Sequence, residues 1–185
     1  MKFINITYFV HGTTTDNEKE IASGWSPGEL SKLGIEQSIE LKKLIKDRKF
    51  DVVFCSDLKR AVDSAKLTFR DSVKIIKDKR LREVNYGDLT GANSKLVESL
   101  TLKHINKPFQ NGESYKDVEK RIRSFLKDLM KKYTRKNVAI VAHRAPQLAL
   151  EVIINGKSWE QAVKEDWRSK KPKEWRLGWN YKLIK

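Results

Sequence analysis

The sequence predicts an α/β fold, a three-layer sandwich whose mainly parallel central sheet carries helices on both faces. Three observations lead there. Short, near-continuously apolar runs at 4–10, 51–55 and 138–142 are rich in β-branched and aromatic residues, the pattern of strands buried on both sides of a parallel sheet. Helical periodicities fall between them, so strands and helices alternate as in βαβ units. The 185 residues contain no internal repeat, low-complexity segment or Pro/Gly-rich linker. A single domain over 1–185 is therefore expected, long enough to bury a substantial core.

The elements follow in order. Asn5 and Thr7 interrupt the apolar N-terminal stretch and no small-residue cleavage site follows it, so a first strand is predicted there instead of a signal peptide. Ser31 can cap a helix carrying Leu33, Leu41, Leu44 and Ile45. After the second strand, Leu58, Ala61, Val62, Ala65 and Phe69 repeat at helical spacing. Residues 73–76 are a weaker fourth strand. Tyr115, Val118, Ile122, Phe125, Leu126, Leu129 and Tyr133 mark a longer amphipathic helix, and Ser114 with Asp117 gives it a capping box. Pro146 is read as the first residue of a helix running through Ile154, and residues 179–184 as a final edge strand.

Composition narrows the function classes. Hydrophobic residues make up 39%, and no apolar run is long enough to cross a bilayer, so no membrane partner is expected. Cys55 is the sole cysteine, which excludes an internal disulfide and fits a reducing, cytoplasmic location. As a strand residue it reads as a small buried hydrophobe. The net charge of +15, from 39 basic and 24 acidic residues, favours anionic partners. The excess is mostly lysine and forms no contiguous block, the mark of solvated helix faces. No helix-turn-helix, zinc or RNA-binding signature accompanies it, so nucleic acid is not the expected partner. Trp159, Trp167, Trp175 and Trp179 lie among lysines and read as a C-terminal segment covering the core. No His/Cys/Asp cluster has metal-ligand spacing, so no metal and no cofactor are expected. His104 belongs to no motif, and oligomeric state is left open.

Ligands of such sheets bind beyond the carboxyl ends of the strands. Those ends carry His11 and Gly12, then Ser56 to Arg60, then His143 and Arg144, so two of the three histidines occupy equivalent positions. Each alone has a plain structural reading, as a strand-end imidazole or a surface arginine. Together they suit phosphoryl chemistry. Neutral imidazole is a competent nucleophile, and a transferring phosphoryl group needs donors and cations around its oxygens. His11 can attack, Gly12 can let the backbone approach the phosphate, and Arg60 can bind its oxygens as a fork. His143 can donate to the same phosphate, and Glu83 can exchange a proton with the leaving group.

At this point the chain resembles the histidine phosphatase (phosphoglycerate mutase-like) superfamily. The family's RHG motif appears as Val10-His11-Gly12, and its phosphate-contacting asparagine is matched by Asn17. Gly24-Trp25, Leu30-Ser31 and Gly34-Ile35-Glu36-Gln37 resemble its next block. Ser56-Asp57-Leu58-Lys59-Arg60-Ala61 with Ser64-Ala65 resembles its arginine helix. Leu81-Arg82-Glu83 with Gly87 and Gly91, then Gly112-Glu113-Ser114, then Val141-Ala142-His143 follow in the family's order. The resemblance implies that His11 is the phosphorylated nucleophile, Arg60 and His143 phosphate binders, and Glu83 the proton donor. Thr14, Asn17, Ser23 and Gly24 match phosphate- or substrate-contacting positions. The implied activity is metal-independent hydrolysis of a small phosphomonoester through a phosphohistidine at His11.

Two departures stand out: Val10 replaces the motif arginine, and Arg144 replaces the glycine after the second histidine. Losing one preorganised ligand costs about 3–4 kcal/mol of transition-state stabilisation. Arg144 is expected to turn its guanidinium into the pocket as a replacement, with Arg82 as a second candidate. The alternatives are a catalytically weakened member that binds a phosphorylated ligand or protein, and a mutase-type phosphoryl transfer. The stretch between Glu83 and Gly112 is short for the insertion shared by mutases.

Overall fold

A computed structural model describes residues 2–69, 72–169 and 177–184. Its elements are β1 (Phe3–Val10), α1 (Thr15–Glu18), α2 (Lys32–Leu44), β2 (Val52–Cys55), α3 (Lys59–Phe69), β3 (Ile75–Lys77), α4 (Ser94–Ser99), α5 (Tyr115–Lys132), β4 (Asn137–Ala142), α6 (Arg144–Ile153), α7 (Trp159–Lys164) and β5 (Trp179–Ile184). The sheet order is β3-β2-β4-β1-β5. β5 runs antiparallel to β1, and the other pairs are parallel. The mainly parallel α/β sandwich is thus present, with the expected last strand at its edge.

Strand alternation sorts the core into two sides. Ile4, Ile6 and Tyr8 of β1, Phe54 of β2 and Ile140 of β4 pack with Val118, Ile122 and Phe125 of α5 and Leu148 of α6. On the other face Phe9, Val53, Cys55 and Val141 meet Ile45, Ala65 and Phe69. Both faces are therefore buried, which is why these strands read as continuous apolar runs. Truncating a fully buried side chain such as Ile140 would cost about 2–5 kcal/mol.

Local chemistry explains most helix limits. Ser114 caps α5: its hydroxyl accepts from Asp117 N–H at 3.1 Å, and the Asp117 carboxylate accepts from Ser114 N–H at 2.9 Å. Ser31 caps α2, but the apolar face expected there is only partly used. Leu33 and Leu44 are exposed, whereas Gly34 and Ser38 are the buried residues, because the backbones approach too closely for larger side chains. The fourth strand lies at Ile75–Lys77, shifted from 73–76. α6 begins at Arg144, so Pro146 is its third residue; the first-turn N–H it lacks has no intrahelical acceptor in any case. Trp159 is buried, and its indole N–H donates to Glu119 at 2.7 Å, tying α7 to α5. Trp175 lies outside the described residues. His104 stacks on Phe109 with ring centroids 3.9 Å apart.

Candidate active site

Strand register creates the site. The last ladder pair of β1 and β4 is Val10 with Ala142, so the next residue of each strand is a histidine and the two are neighbours. Their ring centroids are 5.0 Å apart. His11 Nδ1 lies 2.7 Å from the carbonyl oxygen of Gly12. A carbonyl can only accept, so Nδ1 carries the hydrogen and Nε2 keeps its lone pair. Arg60 Nε donates to that lone pair at 3.3 Å. Burial, and then the Arg60 charge, push the His11 pKa down from 6.5 to about 3, against the opposing pull of the Gly12 bond. Burial is also the main cause holding His143 well below the usual imidazole range, with Arg60 and His11 adding to it. Both rings are neutral near pH 7, as a nitrogen nucleophile requires.

Arg60 stands in the first turn of α3 and is only 2% exposed. Its Nη1 donates to Ser26 O at 2.6 Å and its Nη2 to Gly24 O at 2.8 Å. Gly24 has φ of +48°, the left-handed region where glycine is unstrained, and this conformation belongs to the loop whose carbonyls hold the guanidinium. Arg60 therefore fixes the 24–27 loop while facing His11 with a buried positive charge.

Glu83 is nearly buried between its own loop and the start of α6. Its Oε1 accepts from Val84 N–H at 2.9 Å and Ala145 N–H at 3.0 Å, and its Oε2 accepts from Arg144 N–H at 3.1 Å. A helix N-terminus is a favourable seat for a carboxylate. The Glu83 carbonyl is held in turn by Trp25 Nε1 at 2.7 Å and Arg121 Nη2 at 2.9 Å.

A cavity of 720 Å³ is bordered by His11, Asn17, Ser23, Gly24, Arg60, Glu83 and Arg144. His143 is fully buried beside His11 and is not part of that lining. Thr14 is not brought to the cavity wall either. It is fully buried, and its hydroxyl accepts from Asn17 N–H at 3.0 Å as the cap of α1. Ser23 donates to Asp16 at 2.7 Å.

Gly12, which borders the cavity, also meets a packing requirement that the sequence did not display. A Cβ there would lie 2.4 Å from Gly34 O, and one on Gly34 would lie 2.0 Å from Thr13 O. The Gly12 amide donates to Ser64 Oγ at 2.9 Å. The glycine pair lets α2 press against the loop that follows His11; Gln37 then completes the contact by accepting from Thr13 N–H at 2.9 Å.

The two expected replacement cations are engaged elsewhere. Arg144 borders the cavity, but its Nε donates to Asp166 at 2.5 Å and its Nη1 lies 3.3 Å from the Tyr115 hydroxyl. An arginine this buried needs a counter-charge, and Asp166 supplies it. Arg82 forms a two-point pair with Asp57, both contacts 2.7 Å, and its guanidinium lies 4.8 Å from the Trp25 ring centre. Among the described residues, no cluster of three or more His, Cys, Asp or Glu could hold a metal ion, and no helix is long and apolar enough to cross a membrane.

Sequence reasoning missed the supports of the site. Ser64 lies one helical turn beyond Arg60, so spacing could have placed it on the same face. Arg121, which holds the Glu83 carbonyl, has no local signal because its partner is distant in sequence.

Comparison with known proteins fits this geometry. The chain is 30% identical over 156 residues to a Hydrogenobacter thermophilus protein named as a phosphoserine phosphatase 2, covering 79% of this chain and 76% of that one. A 2,3-bisphosphoglycerate-dependent phosphoglycerate mutase of Streptococcus uberis is 36% identical over 96 residues, which span 49% of this chain but only 42% of the mutase. The crystal structure of an alpha-ribazole phosphatase from Shigella flexneri superposes with a TM-score of 0.75 at 26% identity, covering 86% of this chain and 84% of that one. Residues 8–167 match the model of the histidine phosphatase superfamily, branch 1, and the chain belongs to that superfamily.

Proposed function

We propose that the protein is a metal-independent phosphatase that hydrolyses a small phosphomonoester through a phosphohistidine at His11. The observation that carries this reading is the His11 tautomer: Nδ1–H is committed to Gly12 O, and the Nε2 lone pair meets Arg60 Nε at 3.3 Å. A phosphoryl group entering between them would find a nucleophile on one side and a guanidinium on the other. In the first step the N–P bond forms at Nε2, the ester P–O bond breaks, and the leaving oxygen takes a proton delivered by Glu83. In the second, water attacks phosphorus, its proton passes to Glu83, and the N–P bond breaks to release phosphate. Arg60 and His143 stabilise the transferring oxygens, Asn17, Ser23 and Gly24 border the substrate, and one domain carries the whole reaction. What supports hydrolysis over mutase transfer is that the phosphatase-named relative is matched over 76% of its length and the Streptococcus uberis mutase over 42% of its own.

The test is turnover of a panel of phosphomonoesters with a chelator present, beside His11→Ala and Glu83→Gln. Expected are phosphate release that survives the chelator, its loss in His11→Ala, and in Glu83→Gln a loss of turnover with phosphate affinity kept. Turnover abolished by chelator, or unchanged in His11→Ala, contradicts the reading. Isomerisation of phosphoglycerate without phosphate release would favour the mutase. Tight phosphate binding without turnover would favour a binding protein weakened by Val10.

A further inference from the structure

Tyr8 lies three residues before His11 on β1 and is completely buried. Its hydroxyl donates to the carbonyl of His143 at 2.6 Å and accepts from the N–H of the same residue at 3.0 Å. Those two groups lie just past the sheet, since β4 pairs with β1 through Ala142 and with β2 through Val141. The phenol thus replaces the ladder partner that His143 lacks. An apolar residue at position 8 would leave the buried His143 N–H unsatisfied and its carbonyl with only the 3.4 Å bond from Gln147 N–H.

Neither ring nitrogen of His143 has a hydrogen-bond partner among the described residues. Nothing polar on the ring fixes its direction, which is therefore set by packing and by the backbone that Tyr8 grips. The following two amides, of Arg144 and Ala145, hold the Glu83 carboxylate. One hydroxyl from the strand that leads into His11 thereby anchors the second histidine and the amides that hold Glu83.

We propose that Tyr8 is a positioning residue of this site, acting through the His143 backbone on the His143 ring and on Glu83. Its kinetic consequence rests on the phosphatase reading above; its structural consequence does not. Burial keeps the phenol protonated far above its ordinary range, so it can donate and accept at once.

The test compares Tyr8→Phe with Tyr181→Phe. Tyr181 is a suitable buried control: its hydroxyl donates to Glu151 at 2.6 Å and accepts from Gln147 at 2.7 Å, on α6 about two turns and one turn beyond His143, and touches neither backbone group of His143 itself. Both substitutions keep the ring and remove one doubly bonded hydroxyl. Imidazole NMR of the free proteins should show the His143 ring signals displaced in Tyr8→Phe and unmoved in Tyr181→Phe. With p-nitrophenyl phosphate, Tyr8→Phe should lose about tenfold or more in kcat with KM within about threefold, the split expected when alignment and not binding is damaged. A His143 signal that stays in place in Tyr8→Phe overturns the proposal, as does a kcat loss no larger than that of Tyr181→Phe. Should the native protein turn over no ester, the NMR comparison decides alone, and only the phosphatase reading fails.

Discussion

Arg144 and Asp166 form a buried ion pair, Nε to Oδ2 at 2.5 Å, with side chains 10% and 9% exposed. Asp166 also accepts from Arg168 Nη2 at 3.1 Å. Burial alone would raise the Asp166 carboxyl, but Arg144 and Arg168 outweigh it and hold its pKa below the usual value. The Arg144 charge is therefore balanced by protein, and the pair ties the residues just after α7 to the first turn of α6.

Breaking that pair should cost stability more than phosphate binding. Arg144→Ala leaves a buried carboxylate short of a partner, at about 3 kcal/mol by denaturant unfolding, while the double change Arg144→Met with Asp166→Leu should recover most of the loss. Phosphate affinity should fall far less in Arg144→Ala than in Arg60→Ala. Equal losses would show that Arg144 acts as a phosphate clamp after all.

Val10→Arg should strengthen the site. Val10 borders the cavity at the end of β1, and the nearby guanidinium of Arg144 is engaged by Asp166. A cation added there should raise kcat/KM for phosphomonoesters by about tenfold to a hundredfold, the converse of removing one preorganised ligand. An unchanged kcat/KM in a folded variant would mean that the position is already compensated.

Stability should fall in mild acid because of the imidazoles of His11 and His143. Unfolded imidazoles titrate near 6.5, whereas His11 does so at about 3 and His143 well below the usual value when folded. Between those limits the unfolded chain binds more protons, so the contribution is complete above about pH 6.5 and is lost as pH falls toward the folded values. The slope is about 1.4 kcal/mol per pH unit for each ring. Denaturant midpoints at pH 8, 6 and 5 measure it, and His143→Gln should remove about half of the dependence between pH 6.5 and 5.

Gly34→Ala should disable the site from outside it. The added methyl would meet the Thr13 carbonyl at 2.0 Å, forcing α2 off the loop that follows His11. We expect about 1–3 kcal/mol of destabilisation together with a fall in turnover that His11 itself cannot explain. Full activity in Gly34→Ala would show that the loop does not depend on this contact.

Sequence alone determined the fold class, the strand candidates and the residues at their carboxyl ends, because hydrophobic periodicity and strand-to-helix alternation are local properties that each segment displays by itself. His11, Arg60, Glu83 and His143 were legible as candidates for the same reason: each stands at an element boundary or in a short motif. What the chain could not display is which boundary faces which. Insertion of β4 between β1 and β2 made His11 and His143 neighbours. It also brought Tyr8 beneath His143, although 135 residues separate them. The pairing of the Arg144 side chain was not legible, because its partner Asp166 lies 22 residues away. A buried guanidinium turns to whichever carboxylate the tertiary fold brings within reach, and only packing decides which one that is.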